Sequence, residues 1–237
     1  MGGRLQNLYF DWVYTPVYDA TVGQLAPYQR LQERSVDRLT FKPGDAVLCI
    51  GVGTGNEITR LMGREGAVGL RMAATDLARP ALKKTYKKTR GTVGVAVMDA
   101  HCLAFADGVF DAVLCLHTMD FLEAPDVATE ELFRVLKPGG SFVVSYPTGK
   151  GGPGLLQAVA GSVSRKARHG RVFSALSEML ASLGSGLAYA PLFLAKKPRE
   201  RFYSHSRIHS LLGSMRVASY DVDEDLAYQD LIVWGKR

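Results

Sequence analysis

The run Ala46-Val47-Leu48-Cys49-Ile50 is unbroken apolar sequence of strand length, and it passes directly into Gly51-Val52-Gly53-Thr54-Gly55-Asn56. An apolar strand without alternation is one buried on both faces, as in a parallel sheet. A glycine-rich turn at its end lets a ligand approach the backbone closely. It also aims the free N–H groups of the next helix at that ligand. The spacing is Gly-x-Gly-x-Gly. A dinucleotide fingerprint needs Gly or Ala where Asn56 stands, which disfavours NAD and FAD. A P-loop fails too, because Gly149-Lys150 is followed by Gly151 and not by Ser or Thr.

The rest of the chain keeps a strand–helix rhythm as far as Pro147. A helix is expected over 24–40, where Leu25, Tyr28, Leu31, Val36 and Leu39 form an apolar stripe. Further strands are expected ending at Asp76, over Val93 to Met98, over Phe110 to Leu116 and over Ser141 to Tyr146. Helices are expected from Arg79 to Lys88 and from Pro125 to Leu136, the latter stopping at Lys137-Pro138-Gly139-Gly140. This alternation predicts an α/β fold, a mostly parallel sheet with helices on both faces. After Pro147 come two helices, near 153–166 and 172–183, and an apolar stretch interrupted by Pro191. Val217 to Val222 and Tyr228 to Gly235 read as an antiparallel strand pair joined by Asp223-Glu224-Asp225. The expected organisation is a helical amino-terminal cap (1–40), a ligand-binding core (41–147), a helical insertion (148–216) and a terminal strand pair (217–237).

Two carboxylates stand where a nucleoside ligand needs them. Asp76 lies 21 residues after Gly55 and ends an apolar run. In nucleotide-binding sheets an acid about 20 residues beyond the glycine turn holds ribose hydroxyls. Asp76 is also placed to cap the following helix. Asp99 ends the third strand in the same way. It fits either a hydrogen bond from an adenine amino group or a loop aspartate bonded to its own backbone.

The segments VLCIGVGTG, ATDLARPALKKT, MDAHCLAFADGVFDAVLCLHTMDFL and EELFRVLKPGGSFVVSYP occur in order over residues 40–147. Together they resemble class I S-adenosylmethionine-dependent methyltransferases. The resemblance implies a Rossmann-like seven-stranded sheet whose last strand is antiparallel. It implies S-adenosylmethionine as cofactor, S-adenosylhomocysteine as product, and no metal. It also implies that Gly51, Gly53, Thr54 and Gly55 line the methionine end, Asp76 and Leu77 the ribose, and Asp99 with Ala100 the adenine. Leu116 and His117 are implied near the reactive sulfonium. One departure stands out: the family has Asp or Glu two residues before the first glycine, and this chain has Cys49, which reads as a small buried hydrophobe.

Methyl transfer asks mainly for positioning, and a base helps when the nucleophile carries a proton. Candidate bases are His117, Tyr14, Tyr18, Tyr146, Tyr203 and His205, of which His117 is best placed. The opening FDWVYTPVYDATVG is similar to the start of the ubiquinone/menaquinone C-methyltransferases and bacterial phosphatidylethanolamine N-methyltransferases. That likeness implies a cap over the cofactor carrying Tyr14 and Tyr18.

Charge is uneven. Residues 148–216 hold eleven Lys/Arg against two acids, whereas the whole chain is only +6. A basic segment with apolar faces suits peripheral contact with an anionic membrane, a lid over an apolar molecule or an interface with a partner. Lys83, Lys84, Lys87, Lys88 and Arg90 either extend that surface or form a solvated helix face. Nucleic acid is disfavoured, since no aromatics interleave with either basic region. Three cysteines without a CxxC pair, no signal-like start and no membrane-spanning apolar run predict a cytoplasmic protein. The expected function is methyl transfer to a small apolar or amphiphilic acceptor: a lipid head group, a quinone or a natural-product-like metabolite. The alternatives are a catalytically silent cofactor-binding subunit or another group transfer from the same cofactor. Nothing in the sequence fixes an oligomeric state.

Overall fold

The computed structural model describes residues 9–149, 154–194, 202–215 and 217–237. Strands β1 (Ala46–Ile50), β2 (Arg71–Asp76), β3 (Gly94–Val97), β4 (Phe110–Cys115), β5 (Leu136–Pro147), β6 (Ser219–Asp225) and β7 (Asp230–Lys236) form one sheet. Its order is β3-β2-β1-β4-β5-β7-β6. The first five strands run parallel, and β7 lies antiparallel between β5 and β6. This is the Rossmann-like, seven-stranded, doubly wound architecture expected from the sequence.

Burial explains the central strand. All five residues of β1 are buried between β2 and β4. Successive side chains point to opposite faces. Leu48 and Ile50 join one core with Val113, Leu132, Phe133 and Phe142. Val47 and Cys49 join the other with Leu31, Val36, Ile58, Leu61 and Leu82. Helices cover both faces: α1 (Ala26–Arg38), α2 (Asn56–Met62), α3 (Arg79–Lys88) and α4 (Pro125–Val135). Helix α1 buries Tyr28, Leu31, Gln32, Ser35 and Val36, the i, i+3, i+4, i+7, i+8 stripe of an amphipathic helix.

The insertion after β5 is helical: α5 (Gly154–Arg168), α6 (Val172–Leu194) and α7 (His205–Ser214). Val159 and Ala181 from α5 and α6 pack with Val22, Leu25 and Tyr28 of the amino-terminal region, so cap and insertion share a small core. Lys150, Lys196, Lys197, Arg199, Glu200, Arg201 and Arg216, part of the charge expected here, lie outside the described residues. So do the side chains of Leu192, Phe193 and Leu194.

Three local expectations are corrected. Lys137-Pro138-Gly139-Gly140 lies inside β5, which starts at Leu136 opposite Phe110 and absorbs the Pro-Gly-Gly through a register shift. Asp223-Glu224-Asp225 is strand, not turn. Asp223 and Asp225 pair with Arg38 and Arg34 on α1, and the turn falls at residues 226–229. Helix α6 runs through Pro191 to Leu194.

Candidate functional site

A cavity of about 790 Å³ opens at the carboxyl ends of β1, β2 and β4. The strand order reverses between β1 and β4, and ligands of open α/β sheets bind at such switch points. Its volume lies in the upper part of the ~300–1,000 Å³ range of small-molecule sites. It therefore has room for a nucleoside cofactor and a second small molecule.

The glycine turn forms its floor. Gly51 has φ +63°, and a Cβ there would fall 2.1 Å from Thr118 Oγ1. Gly53 has φ +53°, and a Cβ on it would meet no protein atom within 4 Å. The bare backbone at 53 therefore leaves a cradle that a side chain would fill. Asp76 faces this turn from the end of β2. Its Oδ2 accepts from the Gly53 N–H at 2.8 Å and its Oδ1 from the Ala78 N–H at 2.8 Å. Burial raises the Asp76 pKa, while those N–H groups work against the rise. Each oxygen keeps a second lone pair for a ligand hydroxyl. Leu77, Ala100, Leu116, His117 and Thr54 also line the cavity.

Two expected residues do not reach it. Gly55 (φ +83°) packs against Thr85, 2.8 Å from a notional Cβ, and so admits α3. Asp99 accepts from the His101 N–H at 2.9 Å and meets the His101 ring at 2.6 Å. That is the arrangement of a loop aspartate bonded locally. Of the candidate bases, Tyr14, Tyr18 and His117 face the cavity. Tyr146 is fully buried against Thr129, and Tyr203 donates to Asp126. His205 starts α7 on the exposed surface.

His117 is held with unusual care. It has φ +52°, rare for a non-glycine residue, and its N–H donates to Ser145 Oγ at 2.7 Å. Its Nδ1 lies 2.8 Å from Oδ2 of the buried Asp230. Burial alone would lower the His117 pKa; the charge of the adjacent Asp230, with those of Asp120 and Glu57, outweighs it and raises the value. Nε2 makes no hydrogen bond to any described residue. The ring centroids of Tyr28 and Tyr228 stand 5.2 and 5.5 Å from the imidazole. Tyr18 shares a hydroxyl–hydroxyl hydrogen bond with Tyr28. His117, Asp120 and Asp230 also bring one nitrogen and two carboxylate oxygens within 4.8 Å of one another, close enough to hold a cation.

Glu57 was not singled out in the sequence. It sits in the first turn of α2, is buried, and lines the cavity beside the glycine turn. Burial raises its pKa. Burial also raises the Cys49 thiol, and the nearby Glu57 charge adds to that rise. The carboxylate of Glu57 thus stands close to the position from which the acid is missing. An acid in a helix's first turn is too common to mark it beforehand. Asp230 and Tyr228 carried no local signal at all.

The cap is tied to the site through Asp19. Its Oδ1 accepts from Thr54 Oγ1 at 2.6 Å and from Lys88 Nζ at 2.8 Å. Lys84 Nζ donates to the Thr15 carbonyl at 2.7 Å. Burial opposes ionisation of Asp19, but these partners hold its pKa below the usual range. Lys84 and Lys88 therefore grip the cap and are not merely a solvated face.

Residues 48–144 match the family model described as a methyltransferase domain. Fold and glycine turn agree with that match, and the matched segment is similar to class I S-adenosylmethionine-dependent methyltransferases. It is 35% identical over 147 residues to demethylmenaquinone methyltransferase of Renibacterium salmoninarum, covering 59% of this chain and 58% of that protein. It is 36% identical over 107 residues to the ubiquinone/menaquinone biosynthesis C-methyltransferase UbiE of Teredinibacter turnerae, covering 44% of this chain and 43% of that one. Less than two thirds of either relative is therefore spanned. A chain of the complex between the Haloferax volcanii Trm112 methyltransferase activator and a methyltransferase superposes with TM-score 0.65 at 17% identity, covering 96% of each chain.

Proposed function

We propose that this protein transfers a methyl group from S-adenosylmethionine to a hydroxylated aromatic ring of the quinol type. The observation that carries the reading is the His117–Asp230 pair, packed against the touching rings of Tyr28 and Tyr228 beside the glycine turn. The matched relatives, named for menaquinone and ubiquinone, support the acceptor class.

Gly51, Gly53, Asp76, Leu77, Ala100 and Leu116 would hold the cofactor, whose bound sulfonium supplies an activated methyl group. Glu57 would accept from its ammonium, in place of an acid at position 49. Tyr28 and Tyr228, whose ring centroids stand 5.4 Å apart, would form one aromatic wall of the acceptor site, and Val22, Leu25, Phe121 and Leu122 would exclude water around it. With Nδ1 engaged by Asp230, Nε2 is the nitrogen left to take the proton of a ring hydroxyl. The resulting anion places its charge on oxygen and on the adjacent ring carbon. Either atom can form the bond to the methyl group as the methyl–sulfur bond breaks, leaving a neutral thioether. Asp230 stabilises the imidazolium that forms, and a proton acceptor of this kind contributes about 10²–10⁴ in rate.

The test is transfer of radiolabelled methyl from S-adenosylmethionine into a cell extract partitioned between organic and aqueous phases. Label in the organic phase on an aromatic product is expected. Tight cofactor binding without transfer would instead favour the silent-subunit reading, and label only in aqueous material would remove the quinol-type acceptor.

A further inference from the structure

Helix α6 is amphipathic in the reverse sense. Its inward face carries Ala175, Glu178, Ala181 and Ser185, all buried, with Ser182 and Gly186 lining the cavity. Its outward face carries Val172, Phe173, Leu176, Met179, Leu180, Leu183 and Leu187, all exposed; Phe173 is 91% accessible. At about 100° per residue these seven side chains fall within an arc of about 120°. A helix packed on a globular core puts its large apolar residues inward. Here small and polar residues meet the protein, and the large apolar ones form one stripe several turns long.

The charge beside the stripe is of one sign. Arg165, Arg168 and Arg171 stand exposed at the turn from α5 into α6. The acid of α6, Glu178, is turned inward, where it accepts from the Ala26 N–H and Ser162 Oγ and pairs with Lys166 at 2.9 Å. Cations therefore stand at the amino-terminal end of the stripe, and its one acid is withdrawn from the surface. Leu156 of α5 is both exposed and part of the cavity lining, so cavity and surface meet at this pair of helices. No described helix is long and apolar enough to cross a bilayer.

We infer that α6 lies on the surface of an anionic phospholipid bilayer, with its apolar stripe among the acyl chains and Arg165, Arg168 and Arg171 at the head groups. Apolar area and basic charge together are what such interfacial helices require. The exposed stripe needs an apolar phase, and the arginine cluster selects an anionic one over a neutral protein partner. The docked orientation brings the cavity against the lipid, so an acceptor dissolved in the membrane reaches His117 without crossing water. The docking itself does not depend on the chemistry proposed above.

The test is sedimentation of the full chain with vesicles of phosphatidylcholine alone and of phosphatidylcholine mixed with phosphatidylglycerol. Binding to the mixed vesicles, weakened by salt, is expected. The R165Q/R168Q/R171Q variant should bind them roughly a hundredfold more weakly, from the typical contribution of three surface cations. The F173S/L180S variant should also lose binding. Neither variant touches the cavity, so both should keep wild-type affinity for S-adenosylhomocysteine, which reports an intact fold. Equal partition of the wild type with both vesicle types, or undiminished binding by the arginine variant, would overturn the inference. So would a wild-type dimer that ignores vesicles and that F173S/L180S dissociates, which would assign the stripe to a second copy of the chain.

Discussion

His117 and Asp230 meet 2.8 Å apart although one follows β4 and the other opens β7. The antiparallel register that sets Pro147 opposite Asp230 carries the carboxylate to the cavity. Asp230→Asn removes the charge that offsets burial, so the His117 pKa falls. A base works when neutral, so activity is lost as pH drops through that pKa. In the wild type this limb lies above the ordinary value of about 6.5. In D230N it moves to lower pH, which a kcat profile reads. The H117Q variant should lose about 10²–10⁴ in kcat. A purely structural His117 would lower stability and leave the profile unmoved.

The same pair couples stability to pH. A histidine whose folded pKa is raised stabilises the fold fully below its unfolded value of about 6.5. That contribution disappears as pH rises through the raised folded pKa. Denaturant unfolding of wild type against H117Q should therefore show a stability difference that shrinks across this window. A constant difference would place the proton elsewhere.

Glu57 should matter to cofactor binding more than to folding. A hydrogen bond to a charged partner is typically worth ~1.5–3 kcal/mol, so Glu57→Gln should weaken S-adenosylmethionine by about 10- to 100-fold. The neutral product analogue methylthioadenosine, which lacks the amino-acid end, should bind both forms alike. Calorimetric titration separates the two ligands. Unfolding free energy should hold or rise, since Gln removes a carboxylate whose ionisation burial already opposes.

These positions also mark what could be read from the chain. Strand β1 and its turn were legible because an unbroken apolar run ending in three glycines permits little else. Asp76 was legible because its distance from the turn is set by one helix and one strand. Glu57 was not, because the first turn of any helix favours an acid. Asp230 was not, because its place depends on β5–β7 register, a nonlocal choice. The reverse polarity of α6 was hidden as well, since periodicity reveals an apolar stripe without saying which side faces the core.

Chelation should leave turnover unchanged. His117, Asp120 and Asp230 are close enough to hold a cation, yet the proton transfer proposed for Nε2 needs His117 paired with Asp230 and uncoordinated. Dialysis against EDTA should preserve methyl transfer, and added Mg²⁺ or Zn²⁺ should not increase it. Loss on dialysis with recovery on adding one metal would turn the three residues into ligands and remove His117 as the base.

Asp76→Ala should abolish cofactor binding at modest cost to the fold. The variant strands the Gly53 and Ala78 N–H groups, and leaving such a buried donor unmet costs about 1–3 kcal/mol. Circular dichroism should still report a folded chain at room temperature, while calorimetry with S-adenosylhomocysteine detects no heat of binding. Asp76→Asn is the sharper variant: its amide keeps one acceptor oxygen for a backbone N–H but offers ribose hydroxyls a single one. Intermediate affinity for Asn and none for Ala is the expected order. Near-native affinity in the Ala variant would move the nucleoside to another part of the cavity.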